Sequence, residues 1–175
     1  EQSISQSLRQ ILAKEKIKME EGGLEILAMM SDGSLRDSHS YLEQIIGDEK
    51  EIKETDVRMF FGAPPEELLK DFISSIFEKK PGKSFEIIGF ISKQGFNPRM
   101  FIKLILRNLR FAMMLTLAPN MENELKNLMS QKQMEFIKSL KLKTKPADIE
   151  SALKIFLDAY SSSLYSHFPE LPLEM

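Results

Sequence analysis

The sequence predicts an all-α protein. Three observations carry that expectation: apolar residues recur at three- and four-residue steps along most of the chain, Gly and Pro cluster between those stretches, and no stretch sustains the alternation of a sheet. No internal repeat is visible.

The spacing of Ile4, Leu8, Ile11 and Leu12 predicts a first helix, capped by Ser3 or Ser5. Gly22-Gly23 weakens any helix through it, and a second pattern, Leu24, Ile26, Leu27, Ala28 and Met30, stops at Gly33. Ser34 can cap a third helix, with Leu35, Leu42, Ile45 and Ile46 as its apolar set and Gly47 as its end. After the polar connector Asp48, Glu49 and Lys50, Thr55 is expected to cap a short helix that stops at Gly62. Ala63-Pro64-Pro65 marks a domain boundary, because a residue before proline avoids the helical region and tandem prolines stiffen a linker. The expected domains are therefore residues 1–62, a bundle of three to four helices, and residues 63–175.

In the second domain Leu68, Leu69, Phe72, Ile73, Ile76 and Phe77 form one stripe up to Pro81-Gly82. A helix starting at Gly82 or Ser84 follows, with Phe85, Ile88 and Ile91 on its face and Gly95 as its stop. Asn97-Pro98 is an N-cap followed by proline at the first helical position, and the helix it opens carries Phe101, Leu104, Ile105, Leu109, Ala112 and Leu115. Two shorter patterns hold Leu125, Leu128 and Met129, then Met134, Phe136, Ile137 and Leu140. Lys141 to Lys145 is expected as a basic connector before Pro146 opens a last helix with Ile149, Leu153, Phe156, Tyr160 and Leu164.

Bulk properties narrow the function. The 175 residues are 42% hydrophobic and 29% charged, as in a water-soluble globular protein. No run approaches the ~18 apolar residues of a membrane span, and the start lacks a signal peptide's basic end and apolar core, so a cytoplasmic location is expected. The absence of cysteine excludes disulfides, thiolate catalysis and Cys-based zinc sites. With His39 and His167 as the sole histidines, a His-rich metal site is excluded too, and each is read as structural. A net charge of −2 gives no general attraction to nucleic acid. Glu1 is not an initiator Met, so a piece of a longer chain is expected.

The candidate site is Gly33-Ser34-Leu35-Arg36-Asp37. Ser34 and Asp37 fit a Ser-x-x-Asp capping pattern, and Arg36 falls in the first turn, where the helix dipole disfavours a cation by about 0.3–1 kcal/mol. Spacing alone favours an ordinary surface arginine offset by Asp37. The other reading is an anion site, since backbone N–H groups at a helix start and a guanidinium fork both suit phosphate. Elsewhere, Lys103, Arg107 and Arg110 share a helix face that is either solvated or a contact for an anionic partner. Glu66-Glu67 reads as a helix-start or surface pair, and most of the eleven methionines as core filling. No Gly-x-x-x-x-Gly-Lys-Ser/Thr loop and no catalytic constellation is present.

The run Gly33 to Asp37, followed by Ser38-His39-Ser40-Tyr41-Leu42-Glu43-Gln44, resembles the sensor-2 motif in the lid of AAA+ clamp-loader ATPases, most closely the gamma/tau subunits of the bacterial DNA polymerase III holoenzyme. Gln6 to Leu12, Leu24 to Ala28, Thr55 to Arg58 and Phe61-Gly62 are similar to other lid segments, and His167-Phe168-Pro169-Glu170-Leu171-Pro172-Leu173 resembles the family's collar end, with Phe168 where Pro is common. The resemblance implies an AAA+ lid at 1–62 and an oligomerisation collar at 63–175. It implies that Arg36 is the sensor-2 arginine reaching the terminal phosphates of ATP, with Leu35 beside the base. It implies no catalytic residue, metal site or cofactor in this chain, with ATP, Mg and the hydrolytic machinery belonging to the parent subunit. The implied partners are other clamp-loader subunits through the collar, with the sliding clamp and primed DNA through the full complex, and the implied role is clamp loading in DNA replication. Two alternatives stay open: a free-standing helical interaction or DNA-binding module, and the lid plus C-terminal domain of another AAA+ ATPase.

Overall fold

The structure is a computed structural model that describes residues 2–47, 51–126, 129, 131–165 and 171–174. The connector Asp48-Glu49-Lys50, Leu128, and His167 to Glu170 of the end motif lie outside the described residues. The chain is all-α, as the periodicity predicts. Its elements are α1 (Gln2–Glu15), β1 (Lys18–Met19), α2 (Glu21–Met30), α3 (Leu35–Ile45), β2 (Glu51–Ile52), α4 (Glu54–Phe60), α5 (Glu66–Phe77), α6 (Pro81–Lys93) and α7 (Pro98–Leu117). After a 3-10 turn at Pro119–Met121 come α8 (Glu122–Lys126), α9 (Gln131–Lys143), α10 (Pro146–Tyr165) and α11 (Leu171–Glu174). Among the described residues no helix is long and apolar enough to cross a membrane. The chain divides into two compact units, the first built on Glu1–Phe61 and the second on Gly62–Lys126 and Ser130–Met175.

The first unit packs α1 to α4 around Ile4, Leu8, Leu24, Ile26, Leu27, Leu42 and Val57, all buried. The helix spacings anticipate this core, and a small sheet adds to it. β1 and β2 pair in parallel, Lys18 with Glu51 and Met19 with Ile52. Two-residue strands are too short to leave a periodic signal. The pairing also caps α4: the Glu20 N–H donates to the Ile52 carbonyl at 3.0 Å, and the Glu20 carboxylate accepts from the Glu54 N–H at 2.7 Å. Thr55 is therefore not the cap; it lies exposed inside α4, while the Lys53 N–H donates to the Asp56 carboxylate at 2.8 Å. Ser3 and Ser5 likewise fall inside α1, which already runs at Gln2.

Gly22 and Gly23 do not interrupt α2; they form its first turn and let α4 approach. A Cβ on Gly23 would stand 3.0 Å from Val57 Cγ2. An aromatic cluster lies between α3 and the end of α4: the Tyr41 and Phe61 rings meet edge to face at 5.1 Å, and Phe60 stands 4.9 Å from Phe61. Gly62 then takes φ +65°, a left-handed conformation that ends the helical path.

In the second unit α7 is the central helix. Asn97 caps it as expected, its carbonyl oxygen accepting from the Arg99 N–H at 3.0 Å and the Met100 N–H at 3.2 Å. Phe101, Leu104, Ile105, Leu109, Ala112 and Leu115 are buried along it. α10 packs along α7 through Ile149, Ala152, Phe156, Ala159 and Ser163, steps of three and four residues that keep one face inward. Phe72 of α5 joins them, 5.0 Å from Phe101 and 6.2 Å from Phe156.

Several expectations about individual residues are corrected. α6 starts at Pro81, and Ser84 lies within it, its hydroxyl 2.7 Å from that of Ser75 on α5. Phe85 is 55% exposed, while Ile87 joins Ile88 and Ile91 in the core. Leu164 is exposed, and Ser163 takes the inward position instead. The Lys141 to Lys145 tract is not a free connector, since α9 runs on to Lys143. Cations suit a helix C-terminus, and Lys141 Nζ also donates to the Leu115 carbonyl of α7 at 3.0 Å.

Candidate functional site

The start of α3 is built by its own sequence. Asp32 and Gly33 both take positive φ, +46° and +88°, which turns the chain sharply after α2. The Ser34 N–H returns to the Ser31 carbonyl at 2.8 Å, so the turn is closed on both sides. Ser34 then caps α3, its hydroxyl accepting from the Asp37 N–H at 3.2 Å. Only this half of the capping box forms, because the Ser34 N–H is committed to Ser31. A cap of this kind is worth about 1 kcal/mol.

Contacts on the inner face set the rotation of α3. Ser38 and Leu42 are buried, the Ser38 hydroxyl donating to the Leu35 carbonyl at 2.7 Å. His39 Nε2 stands 2.9 Å from the Ser7 hydroxyl of α1, a partner 32 residues away. A helix turns by ~100° per residue, which puts Arg36 roughly 200° from Ser38 and roughly 240° from Leu42. Arg36 therefore points outward and is exposed. Among the described residues it takes part in neither the Arg9–Glu21 nor the Arg58–Glu54 ion pair. Leu35, read from spacing as part of the apolar set, is 46% exposed beside it. The chain thus brings a guanidinium and an apolar side chain together on one open turn at the positive end of a helix. That combination can hold an anion against a flat apolar group.

The basic set of the second unit is arranged differently. Lys103 Nζ lies 5.6 Å from the centroid of the Tyr160 ring and the Arg107 guanidinium 5.4 Å from that of Phe111, so both cationic heads are turned onto the protein's own rings. Arg110 is exposed. Glu66, at the start of α5, pairs with Lys70 at 2.7 Å, the helix-start role its position suggests.

Two features lie outside the site residues singled out from the sequence. Arg58 is 8% exposed and its Nε donates to Glu54 at 2.8 Å, an ion pair that stands beside Gly22 of α2. A cavity of about 470 Å³ in the second unit is lined by residues from α5, α6, α9, α10 and α11. The Glu54–Arg58 pair has the i,i+4 spacing that a charge-pattern reading of one helix could find, whereas the cavity joins several helices and has no signature in any one of them.

Comparison with known proteins supplies the context. Residues 3–48 match the family described as DNA polymerase III clamp loader subunit, ATPase lid domain. The DNA polymerase III subunit tau of Bacillus subtilis is 28% identical over 128 residues, 73% of this chain and 23% of that protein. The DNA polymerase III subunit gamma/tau of Mycoplasma genitalium is 32% identical over 102 residues, 57% of this chain and 17% of that protein. The chain thus spans less than a quarter of these relatives. The solved Bacillus subtilis DNA clamp loader delta protein superposes with a TM-score of 0.52 over 98% of this chain and 53% of its own, at 15% identity, a likeness of fold.

Proposed function

We propose, from the premise that this chain belongs to the gamma/tau family of DNA polymerase III clamp-loader subunits, that its first unit is the lid of an ATP-binding domain in the parent protein and that Arg36 senses the nucleotide. The carrying observation is the placement of Arg36. It is exposed in the first turn of a Ser34-capped helix, within the segment that matches the lid family.

A guanidinium fork binds two phosphate oxygens at once, and it does so here where backbone N–H groups already favour negative charge. Terminal phosphates held by the parent domain would draw Arg36 toward them, and their loss would release it. The lid then occupies different positions in the two nucleotide states, because the contact differs between them. Leu35 would cover the base. ATP and its Mg²⁺ would be held mainly by the parent domain, which would also perform the hydrolysis, so this chain on its own is not proposed as an enzyme. The second unit is proposed as the collar that joins neighbouring clamp-loader subunits, through which the assembly loads sliding clamps on primed DNA.

The test is ATPase turnover of the parent-length subunit in its clamp-loader complex, with primed DNA and clamp, in the wild type and Arg36→Ala. Hydrogen bonds to charged groups contribute about 1.5–3 kcal/mol, so turnover is expected to fall about tenfold or more. Arg36→Lys, a point charge without the fork, should fall between the two. Wild-type turnover in Arg36→Ala would overturn the assignment.

A further inference from the structure

The cavity in the second unit is independent of the nucleotide-sensing reading and has its own chemistry. Its volume of about 470 Å³ lies in the range of ligand sites. The buried side chains of Phe72, Ile88 and Phe156 form its floor. Phe85 and Ile155 stand on its walls and remain 55% and 63% exposed, so large apolar groups are left in water at the mouth. Lys79, Lys80 and Lys143 line it with Asp148, and Lys80 is ion-paired with the neighbouring Glu78 at 2.7 Å, which leaves Lys79 and Lys143 against Asp148. That hydrogen bond from Lys80, then the charges of Lys80, Lys143 and Lys83, hold the Glu78 carboxyl below the usual range. Thr144, also on the lining, has a buried hydroxyl with no hydrogen-bond partner among the described residues.

Pro172 and Leu173 of α11 form part of the cavity wall, in a Leu-Pro-Leu-Glu segment whose Glu174 is exposed. The open volume remains with that segment in place.

We propose that this groove docks a segment of a partner protein that presents apolar anchors flanked by carboxylates. The anchors enter between Phe85 and Ile155, covering the apolar surface they expose. The carboxylates face Lys79 and Lys143. The preference for acid over base follows from the lining charge, and the need for apolar anchors from the floor.

The probe is a fluorescein-labelled ten-residue peptide with the sequence of Ser166 to Met175, which carries two glutamates among Phe, Leu and Pro residues. Its counterpart carries Glu170→Lys and Glu174→Lys. Anisotropy titrations use the full chain at low salt. The acidic peptide is expected to bind saturably and at least tenfold more tightly than the basic one. In the double variant Lys79→Glu with Lys143→Glu, both positions exposed, the order should reverse. Ile155→Asp should weaken the acidic peptide tenfold or more, with helical circular dichroism unchanged. No binding by either peptide, equal binding by both, or affinities unmoved by the variants would overturn the proposal.

Discussion

Replacing Gly23 by Ala sets two effects of opposite sign against each other, and the structure decides between them. Gly in a helix costs roughly 0.5–1 kcal/mol relative to Ala, so propensity alone makes Gly23→Ala stabilising. Packing opposes this. The new Cβ would meet Val57 Cγ2 at 3.0 Å and the Glu54 Cα at 3.5 Å. Carbon atoms rest about 3.5–4.0 Å apart, so α2 and α4 must separate by about 0.5 Å or more. Val57 is fully buried and β-branched, with one stiff χ1, so it cannot swing aside. Overpacking of this kind costs about 1–3 kcal/mol, which exceeds the propensity gain and leaves a net loss of about 1–2 kcal/mol. Because the chain has two units, the loss is best read from hydrogen exchange of α2 and α4 amides. Gly47→Ala, where a Cβ meets nothing within 4 Å, serves as the control and should be neutral or better. If the clash is the cause, Gly23→Ala made in a Val57→Ala background should cost nothing or be mildly stabilising, a coupling of about 1–3 kcal/mol. An undiminished cost in that background, or stabilisation by Gly23→Ala alone, would refute the reasoning.

Two further outcomes follow from single contacts. Asn97→Ala removes an acceptor shared by two α7 amides and should lower stability by about 0.5–2 kcal/mol in urea denaturation, whereas Asn97→Asp should keep most of it. Glu122 is lowered to about 2 from its ordinary 4.5 by hydrogen bonds from Lys126 and then Lys138. A depressed carboxyl stabilises the fold above its unfolded value and loses that contribution as pH falls from about 4.5 toward about 2. A carboxyl-detected NMR titration should therefore place Glu122 near 2 in the wild type, and Lys138→Met should move it upward.

Features written in adjacent residues were legible in the sequence. Asn97-Pro98 predicts both the cap and the first residue of α7, and the stops at Gly33, Gly62 and Gly95 coincide with positive φ. The cap of α3 and the position of Arg36 in its first turn were legible for the same reason. Its outward direction was not, because rotation is set by buried Ser38 and by His39 meeting Ser7 on another helix. The sheet joins segments 33 residues apart, and the true cap of α4 comes from Glu20. Periodicity identifies the apolar residues of a helix but not which of them a neighbour covers, hence Phe85, Leu164 and Leu35 in water. Gly22-Gly23 was read as a weakness in a helix because its use, a close approach of α4, lies outside the local sequence.

The exposed Arg36 also has an energetic consequence in the absence of nucleotide. A cation in the first turn of α3 opposes the helix dipole by about 0.3–1 kcal/mol, and Asp37 in the same turn offsets part of that. An anion reverses the sign, because the guanidinium and the backbone N–H groups then attract the same charge. On the proposed reading, the gain on phosphate binding would include relief of the repulsion as well as the new hydrogen bonds, a differential contact of the kind a sensor needs. Buried Leu42 and Ser38, and His39 meeting Ser7 of α1, hold α3 to the rest of its unit, so on the proposed reading a pull on Arg36 would act on α1 as well.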